Sequence, residues 1–335
     1  MKILLAMASP ADANGGMEKH FRELANGLAS RGHQITCAAA KEHMAGLDES
    51  ISQHPINTRA SRYSPALHYD LLKLLNRQHF DIAHAQGSKA ADVIKKMKLL
   101  FRRSKFIATI HNFKSKYPNS KVFCRLIVVS RALAADIGHK NITVIYNGLP
   151  PSTCLGPENE LPKSLIRPVW LSAGRLVYAK GFDSLITAFQ HTRGSLIIAG
   201  SGPELKNLQE QIDNCGLDHR VKLIGHCHNI EPLMKAVDAI VISSRREGFS
   251  YVFAEALITG KPIISTDVPI ANEFLPKTCI IPKNSSPEKF ASFLNRDLEQ
   301  ILSEEESARL RSKTELLFDA MIERTLGVYH DCLRS

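Results

Sequence analysis

Asp238-Ala-Ile-Val-Ile-Ser-Ser-Arg-Arg-Glu247-Gly-Phe-Ser250-Tyr-Val-Phe-Ala-Glu255-Ala256 is the stretch from which the fold can be read. A short apolar, β-branched run, Asp238 to Ser243, turns into a polar loop holding Glu247. A helical pattern then starts near Ser250, with Glu255 about one and a half turns inside it. Strand, loop and helix in that order are one step of a parallel sheet with crossover helices. The step repeats in both directions along the chain.

In the second half, strand candidates at 169–173, 195–199, 221–225, 238–243, 261–266 and 279–282 alternate with helical patterns at about 182–190, 204–214, 230–236, 250–259 and 270–274. The tail from 286 to 333 reads as helical throughout. In the first half, strands are expected at 2–8, 33–39, 81–85, 105–110, 124–129 and 142–146, with helices at about 17–30, 65–78, 88–101 and 131–137. Between the halves, 149–168 carries five prolines and Gly156 without apolar period, as a linker does. The predicted fold class is therefore α/β, two doubly wound, Rossmann-like domains in tandem. The layout is an N-terminal domain over 1–150, a linker over 151–168, a second domain over 169–315 and a C-terminal helix over 316–335, a candidate to pack back on the first domain. A cleft is expected between the domains, and in such sheets ligands sit beyond the carboxyl ends of the strands.

Composition agrees with two folded domains. The chain has 335 residues, about twice a usual single domain, with 44% apolar and 23% charged residues, which removes disorder, collagen-like and coiled-coil readings. The net charge of +10 is lopsided: residues 1–150 hold 22 Lys and Arg against 10 Asp and Glu, whereas 151–335 hold 21 against 23. One half thus suits a polyanion, nucleic acid or an anionic membrane surface, and the other does something else. Seven cysteines with no Cys-x-x-Cys pair argue against a disulfide framework or a zinc ribbon, so reduced thiols in a cytosol are expected. The opening run from Met1 breaks at Pro10 and Asp12, too soon for a signal peptide, and no stretch approaches the roughly 20 apolar residues of a membrane span.

Three loops after strands could carry chemistry. Ser9-Pro10-Ala11-Asp12-Ala13-Asn14-Gly15-Gly16 joins the first strand to a helix, and Gly15 and Gly16 would let free amides approach an anion. It is neither a Gly-x-Gly-x-x-Gly nor a P-loop, and a plain tight turn explains it equally. In Gly174-Arg175-Leu176-Val177-Tyr178-Ala179-Lys180-Gly181, both Arg175 and Lys180 could reach one anion outside the sheet, and a diphosphate would satisfy both; two solvated cations are the plainer alternative. In the opening stretch, the amides of Gly248, Phe249, Ser250 and Tyr251 open a helix and can bind phosphate oxygens, flanked by Glu247 and Glu255. Carboxylates beside an anion site suit a ligand that also offers hydroxyls, as a nucleotide sugar does; otherwise both are surface residues. His226-Cys227-His228 lacks a fourth ligand at suitable spacing, so no metal is expected there.

Together these residues resemble the retaining glycosyltransferases of the two-domain GT-B fold, in the large glycosyltransferase family 4 that includes lipopolysaccharide-core and phosphatidylinositol glycosyltransferases. The resemblance rests on Glu247-x7-Glu255, Gly174-Arg175-x4-Lys180-Gly181, the Gly15-Gly16 loop, Ala199-Gly200-Ser201-Gly202-Pro203 and Val144-Ile145-Tyr146-Asn147-Gly148, in the family's order over nearly the whole chain. It implies transfer of a sugar from a nucleotide diphosphate donor, UDP-sugar first, with retention at the anomeric carbon. It further implies that Arg175 and Lys180 bind the diphosphate, Glu255 the ribose and Glu247 the donor sugar, while the Gly15-Gly16 loop covers the phosphates. His111, in Thr109-Ile110-His111-Asn112, falls where the family places a cleft histidine near the transferred sugar. The chain departs from the family at Asp267-Val-Pro-Ile-Ala-Asn-Glu273, where a glycine pair followed by Pro-Glu is usual.

No Asp-x-Asp occurs, so neither a metal nor another cofactor is expected; Arg175, Lys180 and helix amides would carry the leaving-group charge. The stretch from Lys89 to Arg131 holds twelve Lys and Arg and one acid, Asp92. At helical spacing Val93, Met97, Leu100 and Phe101 share one side, flanked by Lys95, Lys96, Lys98, Arg102 and Arg103, as in an interfacial helix on anionic lipid. The same apolar side would also serve to pack on the sheet. The expected partners are an anionic, lipid-linked glycan acceptor such as lipopolysaccharide core and the inner face of the cytoplasmic membrane, with no nucleic acid, since no recognition module accompanies the cations. Two rival readings stand beside this one: a nucleotide-dependent oxidoreductase, supported by Gly200-Ser201-Gly202, and a non-catalytic membrane- or nucleic-acid-binding protein.

Overall fold

The computed structural model describes residues 1–10, 15–98, 100–101, 103–118, 122–138, 140–150, 161–162, 164–227 and 229–335. The middle of the first glycine loop (11–14), most of the linker (151–160 and 163), Arg102 and His228 lie outside the described residues. The chain divides into two compact units, Met1–Pro150 with Glu315–Ser335, and Pro151–Thr314.

The first unit is built on seven parallel strands: β1 (Lys2–Met7), β2 (Gln34–Ala39), β3 (Ser52–Pro55), β4 (Ile82–Gln86), β5 (Lys105–Ile110), β6 (Arg125–Val128) and β7 (Ile142–Val144). Their spatial order is β3-β2-β1-β4-β5-β6-β7, so the winding reverses between β1 and β4. The crossovers carry α1 (Gly16–Ala29), α2 (Pro65–Arg77), α3 (Gly87–Ile94) and α4 (Arg131–Ile137). Helices on both faces explain the unbroken apolar strands: Ile3 to Met7 of β1 are all buried, Ile3, Leu5 and Met7 toward α1 and Leu4 and Ala6 toward α2 and α3.

The second unit repeats the plan with β8 (Val169–Ala173), β9 (Ser195–Ala199), β10 (Val221–Gly225), β11 (Ala239–Ile242), β12 (Ile263–Thr266) and β13 (Ile280–Ile281) in the order β10-β9-β8-β11-β12-β13. Its reversal lies between β8 and β11. Its helices are α5 (Phe182–Phe189), α6 (Leu205–Asn214), α7 (Glu231–Ala236), α8 (Tyr251–Thr259), α9 (Pro269–Phe274), α10 (Pro287–Leu294), α11 (Leu298–Glu304) and α12 (Glu306–Glu315). The chain then returns to the first unit as α13 (Phe318–Arg334). These two sheets give the α/β, doubly wound pattern read from the sequence.

The last helix is part of the first unit's core. Met321, Ile322, Tyr329 and Cys332 are buried against α1 and the sheet, Met321 and Ile322 each contributing about 1.5–3 kcal/mol. Leu149 and the returning chain exchange backbone bonds, Leu149 N–H to Leu316 O and Phe318 N–H to Leu149 O, both 2.9 Å. Gly148 makes this contact possible, because a Cβ there would lie 2.6 Å from Leu317 O. Arg31, at the end of α1, clamps the helix through Asp319 (2.6 Å) and Glu323 (2.7 Å).

Three local expectations need correction. Strand β3, Ser-Gln-His-Pro, has no apolar run to betray it; as an edge strand it pairs only with β2 and tolerates Pro55. The helix expected over 88–101 ends at Ile94, followed by a tight turn over Lys95–Met97. Val93 and Met97 are spent on the core, Phe101 packs beside it and Leu100 stays exposed, so no continuous interfacial helix forms. Like charges at Lys95 and Lys98, one turn apart, disfavour continuing it. The tail is four helices, broken at Asn295 to Asp297, where the Asp297 carboxylate caps α11 through Gln300 N–H.

Glu305, between α11 and α12, is fully buried; its carboxylate accepts from Ile263 N–H at 2.9 Å, with Arg309 at 3.7 Å and Cys279 and Glu304 nearby. Burial pushes its carboxyl up to about 8, against the pull of Ile263 N–H and Arg309. Between the ordinary carboxyl range and about 8 only the unfolded chain is ionised here, so stability falls as pH rises, by at most about 1.4 kcal/mol per pH unit. Glu305→Gln should abolish that slope: thermal unfolding from pH 5 to 8 should show the wild type losing stability relative to the variant, and parallel curves would refute the assignment.

Candidate active site

In the second unit, the loops at the reversal of winding are tied together before any ligand is considered. The loop after β8 is knitted to the loop after β9 by Gly174 N–H to Ala199 O (2.9 Å), Leu176 N–H to Ser201 O (2.8 Å) and Glu204 N–H to Leu176 O (3.1 Å). A Cβ on Gly200 would lie 1.9 Å from Gly174 O, and the Gly200 amide is taken by Gly225 O at 2.7 Å. Gly200 thus serves loop packing, not the dinucleotide turn of the oxidoreductase reading. On the other side, Arg245 N–H donates to Ala179 O (2.9 Å) and Ser243 Oγ to Lys180 O (2.8 Å). Gly181 adopts a left-handed conformation, φ 65°, with Ser243 O only 2.2 Å from where a Cβ would stand. Arg245 grips Asp183 with two bonds of 2.6 Å and stacks on Tyr178, 4.1 Å from its ring centre.

This framework brings two of the expected residues together. Lys180 Nζ donates to Glu247 Oε1 at 2.7 Å, and Ser244 Oγ donates to the same oxygen at 2.5 Å. The Glu247 side chain is only 6% exposed and that of Lys180 23%, so the pair is largely desolvated. Arg175, from the same loop as Lys180, is exposed, and its guanidinium has no partner among the described residues. Ser250 caps α8, its Oγ accepting from Phe253 N–H, with Gly248 buried beside it. Phe249 and Tyr251 meet edge to face at 5.6 Å, and Glu255 lies half-buried one turn into the helix. Where the glycine pair is missing, Asp267 and Pro269 close a tight turn instead: Val268 N–H donates to Thr266 O (2.8 Å) and Asn272 Nδ2 to Asp267 (2.6 Å). Cys227 Sγ donates to Asn229 O, and among the described residues no three His, Cys, Asp or Glu gather as a metal would need.

In the first unit, the amide of Gly15 is not free. Glu18, the third residue of α1, reaches back so that Oε2 accepts from Gly15 N–H at 3.0 Å while Oε1 accepts from Ser9 Oγ. This is one half of a capping box, since glycine has no side chain to return the bond, and an anion arriving at Gly15 must compete with it. Gly16 opens the helix and is exposed.

His111 sits just past β5, buried, with Nε2 2.8 Å from Gln86 Oε1 at the end of β4. It belongs to a cluster that no sequence spacing announced. His20 of α1 meets it edge to face at 4.8 Å, and His84 of β4 lies between Thr109 Oγ1 (2.7 Å) and Tyr329 OH (2.6 Å). Burial pulls His20 down to about 4, outweighing an interaction with Asn147 that raises it. Burial, with the charge of His20, takes His84 to about 3, and burial with both neighbouring imidazoles holds His111 well below its ordinary value. All three are neutral near pH 7, and this part of the core loses stability as pH falls below the unfolded histidine value, because the unfolded chain then binds protons the folded one refuses. The only hint in the sequence was the alternation His84, Gln86 on one strand and Thr109, His111 on its neighbour.

Residues 158–315 match the family described as glycosyl transferases group 1, and residues 14–153 match glycosyltransferase family 4. The lipopolysaccharide core biosynthesis glycosyltransferase LpsE of Rhizobium meliloti (strain 1021) is 27% identical over 262 residues, covering 76% of this chain and 76% of the relative. The O-antigen biosynthesis glycosyltransferase WclY of Escherichia coli is 27% identical over 268 residues, 70% of this chain and 74% of the relative. Among solved structures, HepE of Anabaena in complex with UDP superposes with a TM-score of 0.77 at 20% identity, over 99% of this chain and 100% of that one.

Gly181→Ala should lower the stability of the second unit by about 2–4 kcal/mol, since it forces a left-handed alanine against the Ser243 carbonyl. Gly216→Ala, also at positive φ but with open space around its Cβ, is the control and should cost less. Thermal unfolding of the two variants measures the difference; equal losses would show that the loop contact contributes nothing.

Proposed function

The chain belongs to the group 1 and family 4 glycosyltransferases of GT-B fold, and from that premise we propose that it moves a sugar from a nucleotide diphosphate donor, a UDP-sugar foremost, to an anionic, lipid-linked glycan acceptor with retention at the anomeric carbon. The observation that carries this reading is the buried Lys180–Glu247 pair beside the unpartnered Arg175, at the reversal of winding in the second unit. In an open α/β sheet that is where ligands bind. The names of the relatives support a lipopolysaccharide or O-antigen acceptor, and the UDP held by HepE supports the donor class.

In this reading the donor diphosphate meets Arg175 as a fork and Lys180 as a point charge, with the α8 amides around Gly248 to Tyr251 completing the anion site. Lys180 then shares its charge between phosphate and Glu247. Glu247, held by Ser244, turns its remaining oxygen to hydroxyls of the donor sugar, while Glu255 takes the ribose. As the bond from the anomeric carbon to the diphosphate breaks, negative charge grows on the leaving oxygen, and these fixed cations and amides stabilise it without reorganising. The acceptor hydroxyl attacks on the same face, its oxygen bonding the anomeric carbon while its proton passes to the departing phosphate oxygen. No metal is required, because the chain's own cations do that work. His111 and the Gly15-Gly16 loop lie in the first unit, and their roles remain those that the resemblance implies.

The acceptor side falls to the basic first unit. No described helix is long and apolar enough to cross a membrane. Tyr63, Tyr69 and Leu100 of this unit are exposed, and Lys96 Nζ lies 5.3 Å from the Tyr63 ring centre. Aromatic rings and long cationic side chains together suit the headgroup layer of an anionic bilayer, at the inner face of the cytoplasmic membrane.

A thermal-shift panel of UDP- and GDP-sugars, with NAD as a control and mass detection of slow donor hydrolysis, tests the donor. One nucleotide sugar should stabilise the protein, and Lys180→Ala should cut hydrolysis by at least about 100-fold. Undiminished turnover in that variant would sink the site assignment. For the membrane, flotation with phosphatidylcholine vesicles should require added phosphatidylglycerol and weaken as salt rises. Tyr63→Ser combined with Lys96→Glu should reduce the bound fraction several-fold, whereas equal binding to neutral vesicles would refute the electrostatic part.

A further inference from the structure

We propose that Cys124 and Cys332 form a reversible thiol–disulfide site: Cys124 exchanges with a small anionic disulfide from solvent, and Cys332 then closes a bond that staples the last helix to the sheet. The site lies wholly within the first unit and stands independently of the sugar-transfer reading.

Cys124 precedes β6 by one residue and is fixed there by its N–H bond to Phe106 O at 2.8 Å. Cys332 lies in the last turn of α13, more than two hundred positions later in sequence. The two thiols are in hydrogen-bond contact, and Cys124 packs against the same buried cluster to which Cys332 belongs. Ser335 links them a second time, since its Oγ lies 3.6 Å from Cys124 Sγ and donates to Cys332 O at 2.9 Å. No other thiol–thiol contact occurs among the described cysteines. Cys37 and Cys279 are buried in different units, and Cys215 and Cys227 are half-buried, with the Cys227 thiol bonded to Asn229 O.

The surroundings separate the roles of the two sulfurs. Cys124 is half-buried and lines a solvent-open cavity of about 670 Å³. Cys332 reaches the same cavity from α13 with 1% of its surface exposed. Burial and the neighbouring Cys124 hold the Cys332 thiol up, while Arg125 and Lys105 pull it down. Cys124 is therefore the sulfur that a disulfide in solvent can reach, and Cys332 the one placed to resolve the product.

Charge selects the class of disulfide. Lys98, Lys105 and Arg125 line the cavity with one acid, Asp331. Lys105 and Arg125 form no ion pair among the described residues, and Arg125 Nε is buried without a hydrogen-bond partner. Such cations attract a disulfide that carries carboxylates, as oxidised glutathione does, and favour the thiolate over the thiol during exchange.

The steps balance. The Cys124 thiolate attacks one sulfur of the small disulfide, forming a mixed disulfide and expelling one small thiolate. The Cys332 thiolate then attacks Cys124 Sγ, and the second small thiolate departs. Two protein thiols are oxidised to one disulfide, the small disulfide is reduced to two thiols, and the two protons end on those released thiols. A small thiol in excess runs both steps backward. The resting pair is reduced, and the bond forms when the surroundings turn oxidising. It ties the start of β6 to the end of the helix that supplies Tyr329 to the core.

The full chain, reduced and then incubated with oxidised glutathione, is blocked with N-ethylmaleimide and mapped by mass spectrometry without reduction. The reduced chain should take the label at all seven cysteines once denatured, and the oxidised chain should give a Cys124–Cys332 cross-linked peptide that dithiothreitol removes. The oxidised first unit should also unfold several degrees higher, because the bond closes a long loop. Absence of that peptide at every ratio of oxidised to reduced glutathione would overturn the proposal. Cys332→Ser should halt the reaction at a glutathione adduct on Cys124. Early acid-quenched samples of the wild type should show the same adduct, so the order of steps is testable even if the variant fails to fold; a first adduct on Cys332 would refute the assigned roles. Cystamine, a cationic disulfide, should react with Cys124 at least about fivefold more slowly than oxidised glutathione at low salt, each rate taken relative to the unfolded chain, and the gap should close as salt rises. An equal or faster reaction with cystamine would overturn the anionic class.

Discussion

The backbone of Gly181 runs so close to the Ser243 carbonyl that no side chain fits between them, and the placing of the second unit's candidate residues follows from that contact. It draws the loop after β8 against the loop after β11 and leaves Lys180 and Glu247 within 2.7 Å in a largely dry setting. Placing two charges there is costly unless each is fully bonded, and Ser244 supplies the extra bond that Glu247 needs. A pair arranged in this way is weak evidence for stability and better evidence for use. Its lysine is already partly desolvated, so in the proposed reading an arriving phosphate would meet a fixed charge.

The first unit solves a different problem. Its core must accommodate four polar strand residues, His84, Gln86, Thr109 and His111, on the face where an apolar run would pack more cheaply. It does so by giving most of their polar atoms a partner inside the core and by keeping the imidazoles neutral. The last helix closes the arrangement, supplying Tyr329 to the network and Met321 and Ile322 to the apolar side. The Gly148 contact and the Arg31 clamp fix where that helix lies.

Much of this was legible in the residues. Parallel strands buried on both faces are largely apolar, so β1, β8, β9 and β11 stand out, and the loops after β8 and β11 carry Arg175, Lys180 and Glu247. Edge strand β3 was not legible, because a strand with one neighbour and an open face needs no apolar run. The helix expected over 88–101 ended early because its periodic residues were needed for packing, and spacing cannot say where a helix stops being useful. Glu18 shows a further limit: Gly15-Gly16 suggested free amides, while the carboxylate three residues on already occupied one of them.

What the sequence determined by itself was the fold class, the family resemblance and the strand-end loops that hold the candidate residues, since periodicity and glycine placement are local properties. Which residues face which was decided only by the tertiary structure. Lys180 and Glu247 are 67 positions apart and His84 and Tyr329 are 245 apart, and each pair meets only because sheet register and helix packing bring distant segments together. Their protonation follows the same rule, because a histidine's charge is set by what surrounds it, and local sequence carries no record of burial.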